Sequence, residues 1–97
     1  MMPIRLLPDA VEELRAAAKF YEAEQQGLGQ ALIQEVRRAC QFIAEQPLAA
    51  RVERGDVRVR TMARFPYRIY YRASADEILV VAIGHRRRKP GFWQTRS

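Results

Sequence analysis

Tyr67-Arg68-Ile69-Tyr70-Tyr71-Arg72 and, after Ser74-Ala75-Asp76-Glu77, Ile78-Leu79-Val80-Val81-Ala82-Ile83 decide the fold of this chain. In the first stretch Tyr67, Ile69 and Tyr71 alternate with Arg68, Tyr70 and Arg72, and an extended strand turns such a period of two into two distinct faces. The second stretch is apolar at both parities, as a central strand covered on both sides would be. The polar residues between them read as a tight turn, so the two strands form an antiparallel pair. Working outward, Val57, Val59 and Thr61 alternate with Arg58, Arg60 and Met62, which adds a third strand before the Arg64-Phe65-Pro66 break.

Upstream the period changes to that of a helix. Asp9 with Glu12 offers an N-cap and its return partner. Val11, Leu14, Ala18 and Tyr21 then recur at three-and-four spacing, giving one apolar face as far as about Gln25. Gln26-Gly27-Leu28-Gly29 interrupts that pattern, and Leu32, Val36, Ala39 and Ile43 resume it until Pro47. Ile4, Leu6 and Leu7, stopped by Pro8, read as a short edge strand. The expectation is an α+β fold in the order β-α-α-β-β-β, one domain over residues 1–97, with an antiparallel sheet packed on a helical hairpin. The tail after Pro90 is too short for another sizeable element, and Phe92-Trp93 is expected to fold back and plug a core edge.

Composition narrows the functional classes. The 97 residues carry 17 Lys+Arg against 11 Asp+Glu, a formal net charge of +6. No apolar run approaches the roughly 20 residues of a membrane helix, and the first residues do not read as a secretory signal, so the expected setting is cytoplasmic, with no membrane partner. A single cysteine, Cys40, precludes an internal disulfide, and one histidine without a second thiol gives no metal-ligand cluster. Cys40 sits at the edge of the second helix's apolar stripe, as a small buried hydrophobe would. Neither a metal nor another cofactor is expected.

The charge is one-sided: residues 51–97 carry +8, while residues 1–50 carry −2. Such a field favours a polyanion or an acidic protein. If Tyr67, Ile69 and Tyr71 face the helices, Arg68, Tyr70 and Arg72 face away. With Val57 and Val59 on the helix side as well, Arg58 and Arg60 join them on an open surface. Guanidinium forks hold phosphate oxygens, and a phenol can stack on a base. Gly84-His85-Arg86-Arg87-Arg88-Lys89 adds cations at the end of the central strand. His85, with an unperturbed pKa of about 6.5, is a candidate proton carrier. Its face depends on register, and a bulge at Gly84 would switch it.

Phe65-Pro66-Tyr67-Arg68-Ile69-Tyr70-Tyr71-Arg72, followed by Ile83-Gly84-His85-Arg86-Arg87-Arg88-Lys89-Pro90-Gly91-Phe92-Trp93, resembles the RelE/ParE superfamily of bacterial toxins from type II toxin–antitoxin (plasmid stabilisation) modules. The resemblance runs over nearly the whole chain. It implies a growth-inhibiting toxin that acts on DNA gyrase or on translation and is neutralised by a cognate acidic antitoxin. In the ParE branch the toxin poisons gyrase and performs no chemistry. In the RelE branch it is an endoribonuclease that cuts mRNA on the ribosome, and Arg68, His85 and Arg86 would be its catalytic residues. On either branch Arg58, Arg60, Tyr70, Arg72, Arg87, Arg88 and Lys89 are the expected target-binding or nucleic-acid-binding residues. Phe92 stands where RelE-like enzymes carry an important tyrosine, and phenylalanine has no proton to give. The ParE-like reading is therefore ahead, with a toxin-like domain that only binds its partner as a further alternative. An apolar surface beside Ile78–Ile83 is the expected antitoxin groove.

Overall fold

Proline sets where the first helix begins. The computed structural model describes residues 1–96. In it β1 (Ile4–Leu6) runs directly into α1 (Pro8–Glu24), with Leu7 at the N-cap and no side-chain cap. Proline's fixed φ suits the first helical position, where its missing N–H costs nothing, so the cap falls on Leu7, two residues ahead of the expected Asp9. Asp9 lies inside the first turn, and Glu12 pairs with Arg15 at 3.0 Å rather than closing a capping box.

The glycines of Gly27-Leu28-Gly29 do two different jobs. Gly27 adopts φ +90° as it turns the chain into α2 (Leu28–Glu45). Gly29 lies where a Cβ would run into the Ala18 carbonyl oxygen of α1, so its bareness lets the two helices approach. Glu22 of α1 supplies the cap that α2 lacks, accepting from Gly27 N–H at 2.8 Å and Gly29 N–H at 3.0 Å. A carboxylate there also suits the positive end of the helix dipole.

Four further strands follow: β2 (Arg51–Arg54), β3 (Val57–Thr61), β4 (Tyr67–Ala73) and β5 (Ile78–His85). The sheet order is β1-β5-β4-β3-β2, with β1 parallel to β5 and every other pair antiparallel. β2 is the element that the sequence reading lacks. It is a short outer edge that pairs Arg51 with Val59 and Val52 with Arg58. The fold is α+β with a mixed sheet on a helical hairpin, as expected but for the parallel β1 and the extra edge strand.

The sheet is covered on both faces. On one face, α1 and α2 close over Ile69, Tyr71, Ile78, Val80 and Ile83, joined by Leu32, Val36 and Ile43. On the other face, Val57, Val59, Tyr70, Val81 and Ala82 form a second core under Trp93. Val57 and Val59 thus point away from the helices, opposite to expectation. They lie in register with Arg72 and Tyr70, while Arg58 and Arg60 oppose Tyr71 and Ile69 on the helix side. Alternation fixes parity but not side, and a second apolar core gave the valines another place to be buried.

A bulge in β5 sets where His85 points. Tyr70 pairs with Ala82 but Tyr71 pairs with Val80, leaving Val81 as an extra residue beside Ala82 on the outer face. The bulge therefore lies at Val81 rather than Gly84. Past it Ile83 returns to the helix side, and His85 follows on that same side, paired with Tyr67.

Among the described residues no strand accompanies β5 on its β1 edge beyond Leu7, and side chains replace one. Ile83 N–H donates to Glu13 Oε1 at 3.0 Å, and Arg96 Nη1 donates to the Val81 carbonyl at 3.0 Å. Arg96 also grips Glu13 with both prongs of its guanidinium, each at 2.8 Å, and Arg88 adds a third donor at 2.9 Å. Glu13 thereby fastens residues 86–96 across the outer face.

Candidate target-binding surface

The expected cationic residues do not share one side of the molecule. Arg68 and Arg72 lie on the outer face, in register with Val57–Thr61 at Thr61 and Val57. Arg58 is on the helix side and donates to the carbonyls of Leu48 and Ala50 at 3.3 and 2.7 Å, holding the connection into β2. Arg60 stacks on the Phe42 ring of α2 at 4.4 Å. Arg72 is tied to Asp56 at 3.1 Å. The single open face of guanidinium groups expected from alternation is therefore absent.

Nor is the outer face open. Phe92 packs on Gly84 so closely that an added Cβ would lie 2.5 Å from its ring, and Trp93 is buried beside it. Tyr70 touches both rings and is only 4% exposed, which withdraws it as a stacking platform for a base. Phe92-Trp93 folds back as expected, and the cover it makes is a full second core. Arg88 lies over the Phe92 ring at 3.9 Å while pairing with Glu13, so its charge serves the fold.

The three residues of the nuclease reading are dispersed. Arg68 is half-buried on the outer face opposite Gly84, and its Nε is buried without a hydrogen-bond partner. His85 lies on the helix side in edge-to-face contact with Tyr67, at 5.4 Å between ring centres. Its Nδ1 accepts the Arg87 N–H at 3.1 Å. Next to it is a hollow of about 330 Å³ floored by Ala16, Ala17 and Ile83 and walled by Phe20, Tyr67 and Glu13. Burial there, with the neighbouring Tyr21, pushes the Tyr67 phenol above its ordinary pKa, so it stays protonated near neutral pH. Arg86 is exposed in the turn beyond, its N–H donating to the Pro66 carbonyl at 2.9 Å. Arg87 and Lys89 are likewise exposed.

Sequence reasoning missed an apolar hollow beside the first strand. It has a volume of about 660 Å³ and lies between β1 and the helical hairpin, lined by Met2, Ile4, Leu6, Leu14, Ile33, Val36, Cys40 and Ala44 among others. Of the expected groove beside Ile78–Ile83, the first half is covered by β1, which pairs with Ile78, Leu79 and Val80, and the smaller hollow floored by Ile83 lies beside the second half. The signal was present in Ile4 and Leu6, apolar residues on an edge strand with nothing beyond to cover them. Burial in this apolar wall pushes the Cys40 thiol up to about 11. Among the described residues no helix is long and apolar enough to cross a membrane.

A family model described as the ParE toxin of type II toxin–antitoxin systems, parDE, matches residues 4–90. Among solved structures, the fold is similar to a chain from the chromosomal ParDE toxin–antitoxin system of P. aeruginosa, with a TM-score of 0.77 and 21% identity. That likeness covers 88% of this chain and 96% of the other. No curated protein matches the sequence.

Proposed function

Because the chain belongs to the ParE toxin family of type II toxin–antitoxin systems, we propose that it arrests growth by binding DNA gyrase and performs no nucleic-acid cleavage of its own. One observation carries this choice: Arg68 and His85 project from opposite sides of the sheet. Cleavage through a ribose 2′-OH needs a base, an acid and charge-stabilising cations around a single phosphate. A sheet stands between the two groups that would share that work. Phe92, which has no hydroxyl, supports the same reading.

The test is supercoiling of relaxed plasmid by purified gyrase, scored also for trapped cleavage complexes. The protein is expected to suppress supercoiling, and His85→Ala to suppress it equally. Undisturbed supercoiling at excess protein, with codon-phased cuts in translated mRNA that His85→Ala abolishes, would move the protein to the RelE-like class.

Neutralisation is assigned to a cognate acidic antitoxin that lays apolar side chains into the hollow along β1. An edge strand beside an open apolar wall suits a segment that adds to the sheet or lies across it. Cys40 reports on that occupancy. With the thiol near 11, only about one molecule in a hundred is thiolate at pH 9, so iodoacetamide is expected to alkylate the free protein slowly. It should leave the antitoxin complex unmodified over the same period. Equal alkylation of free and complexed protein would place the antitoxin elsewhere.

A further inference from the structure

The charge of the sheet is polarised along its strands. Asp56 lies in the β2–β3 turn, and Asp76 and Glu77 lie in the β4–β5 turn, so these carboxylates collect at the end where β3 and β5 begin. There they meet basic partners, Asp56 with Arg72 and Glu77 with Arg5. The opposite end holds the β3–β4 loop and the turn after His85. Among the described residues, Arg64, Arg68, Arg86 and Arg87 at that end form no ion pair.

The loop there is built to present these groups. Glu35 of α2 accepts the N–H groups of Ala63 and Arg64 at 2.9 and 3.1 Å, pinning the loop through its backbone. The Arg86 N–H to Pro66 carbonyl bond joins the second turn to the first. Arg64 and Arg86 thereby line one hollow of about 350 Å³ with Thr61. Arg68, in register with Thr61, adds the buried, unpartnered Nε noted above. Of the two carboxylates in contact with these turns, Glu35 is engaged by backbone and Glu13 by Ile83, Arg88 and Arg96.

We propose that this end of the sheet docks on the phosphate backbone of duplex DNA, with Arg64, Arg86 and Arg87 as its exposed contacts and Arg68 behind them. The inference builds on the gyrase reading, since duplex DNA is what gyrase holds. Two features favour a phosphate backbone over an acidic protein or an unpaired strand. A protein interface needs exposed apolar anchors at its centre, and the large exposed hydrophobic side chains are Met1, Phe20, Phe42, Leu48 and Val52, none of them in these two turns. Single-strand binders display aromatic platforms, but Phe65 and Trp93 are buried and Phe92 lies beneath Arg88.

The experiment is fluorescence anisotropy of a labelled duplex of about 30 base pairs, titrated with the protein in the absence of gyrase at several KCl concentrations. A backbone contact of three to four phosphates gives a log–log salt slope of about −3. The triple variant Arg64→Gln/Arg86→Gln/Arg87→Gln is expected to bind at least tenfold more weakly at about 100 mM KCl, with a slope near −1. A charge-matched triple on the helices, Arg15→Gln/Arg37→Gln/Arg38→Gln, should stay within about twofold of wild type. All six positions are exposed, and circular dichroism melts are to check that both variants fold. Equal loss in both triples would reduce the effect to net charge and overturn the proposal. Tighter binding to the matching single strand, or to a Glu/Asp-rich peptide of equal charge, would overturn it in favour of that partner. Wild-type protein that binds DNA yet leaves supercoiling untouched would refute the gyrase reading while supporting this surface. Gyrase inhibition without DNA binding would do the reverse.

Discussion

Glu13→Ala is expected to lower stability by about 3 kcal/mol, the usual scale for stripping one partner from a largely buried ion pair. The side chains of Glu13 and Arg96 are 16% and 14% exposed, so solvent screens the pair little. Removing the carboxylate leaves the Arg96 guanidinium without its bidentate partner and the Ile83 N–H without an acceptor. It also releases Arg88. For a chain of this length the loss corresponds to a fall in Tm of roughly 15 °C, read by thermal circular dichroism. The residue acts as the hub of a network, so its effect should not add to that of its partner. Arg96→Ala in the Glu13→Ala background is expected to cost less than about 1 kcal/mol more. Fully additive losses would mean that the two side chains stabilise the protein separately.

Gly29→Val is expected to cost about 3 kcal/mol or more, because a side chain would drive α2 away from the Ala18 carbonyl of α1. Backbone cannot swing aside as a side-chain tip can, and the displacement would loosen the Glu22 cap on the same turn. Gln30→Val, exposed one residue further on, introduces the same side chain with a small helix-propensity penalty and no clash. Its cost should be at most about 0.7 kcal/mol. Denaturant melts that place the two variants together would show that the approach of α2 to the Ala18 carbonyl contributes nothing at this turn.

What could be read from the sequence followed from how many solutions each pattern allows. Leu14, Ala18 and Tyr21 have one stable arrangement, a helix with that stripe inward, and α1 takes it, although its most buried positions are Ala10, Ala17 and Ala18 and Val11 joins neither core. Tyr67, Ile69 and Tyr71 face the helices as their alternation suggests. Val57 and Val59 had two equivalent solutions, because Trp93 closes a second core on the far side. The bulge was invisible for a related reason: Val81 and Ala82 are both apolar, so doubling them on one face leaves no mark in the pattern. Arg51-Val52-Glu53-Arg54 shows little burial at either parity, and its pairing to β3 carries no hydrophobic signature. The candidate site suffered most. Arginine reads as a surface charge in any sequence, whereas Arg58, Arg72, Arg88 and Arg96 here tie loops, strands and the final segment together.

The parallel pairing of β1 with β5 has a consequence for how the protein comes into being. Ile4, Arg5 and Leu6 find their neighbours only in Ile78, Leu79 and Val80, so the first strand made must wait for the last. During synthesis the helical hairpin can assemble early from contacts near in sequence, but its apolar faces stay uncovered until β4 and β5 have emerged. The hairpin is therefore made before the strands that cover it, and the sheet on which the cationic turns sit is complete only once β5 has joined β1.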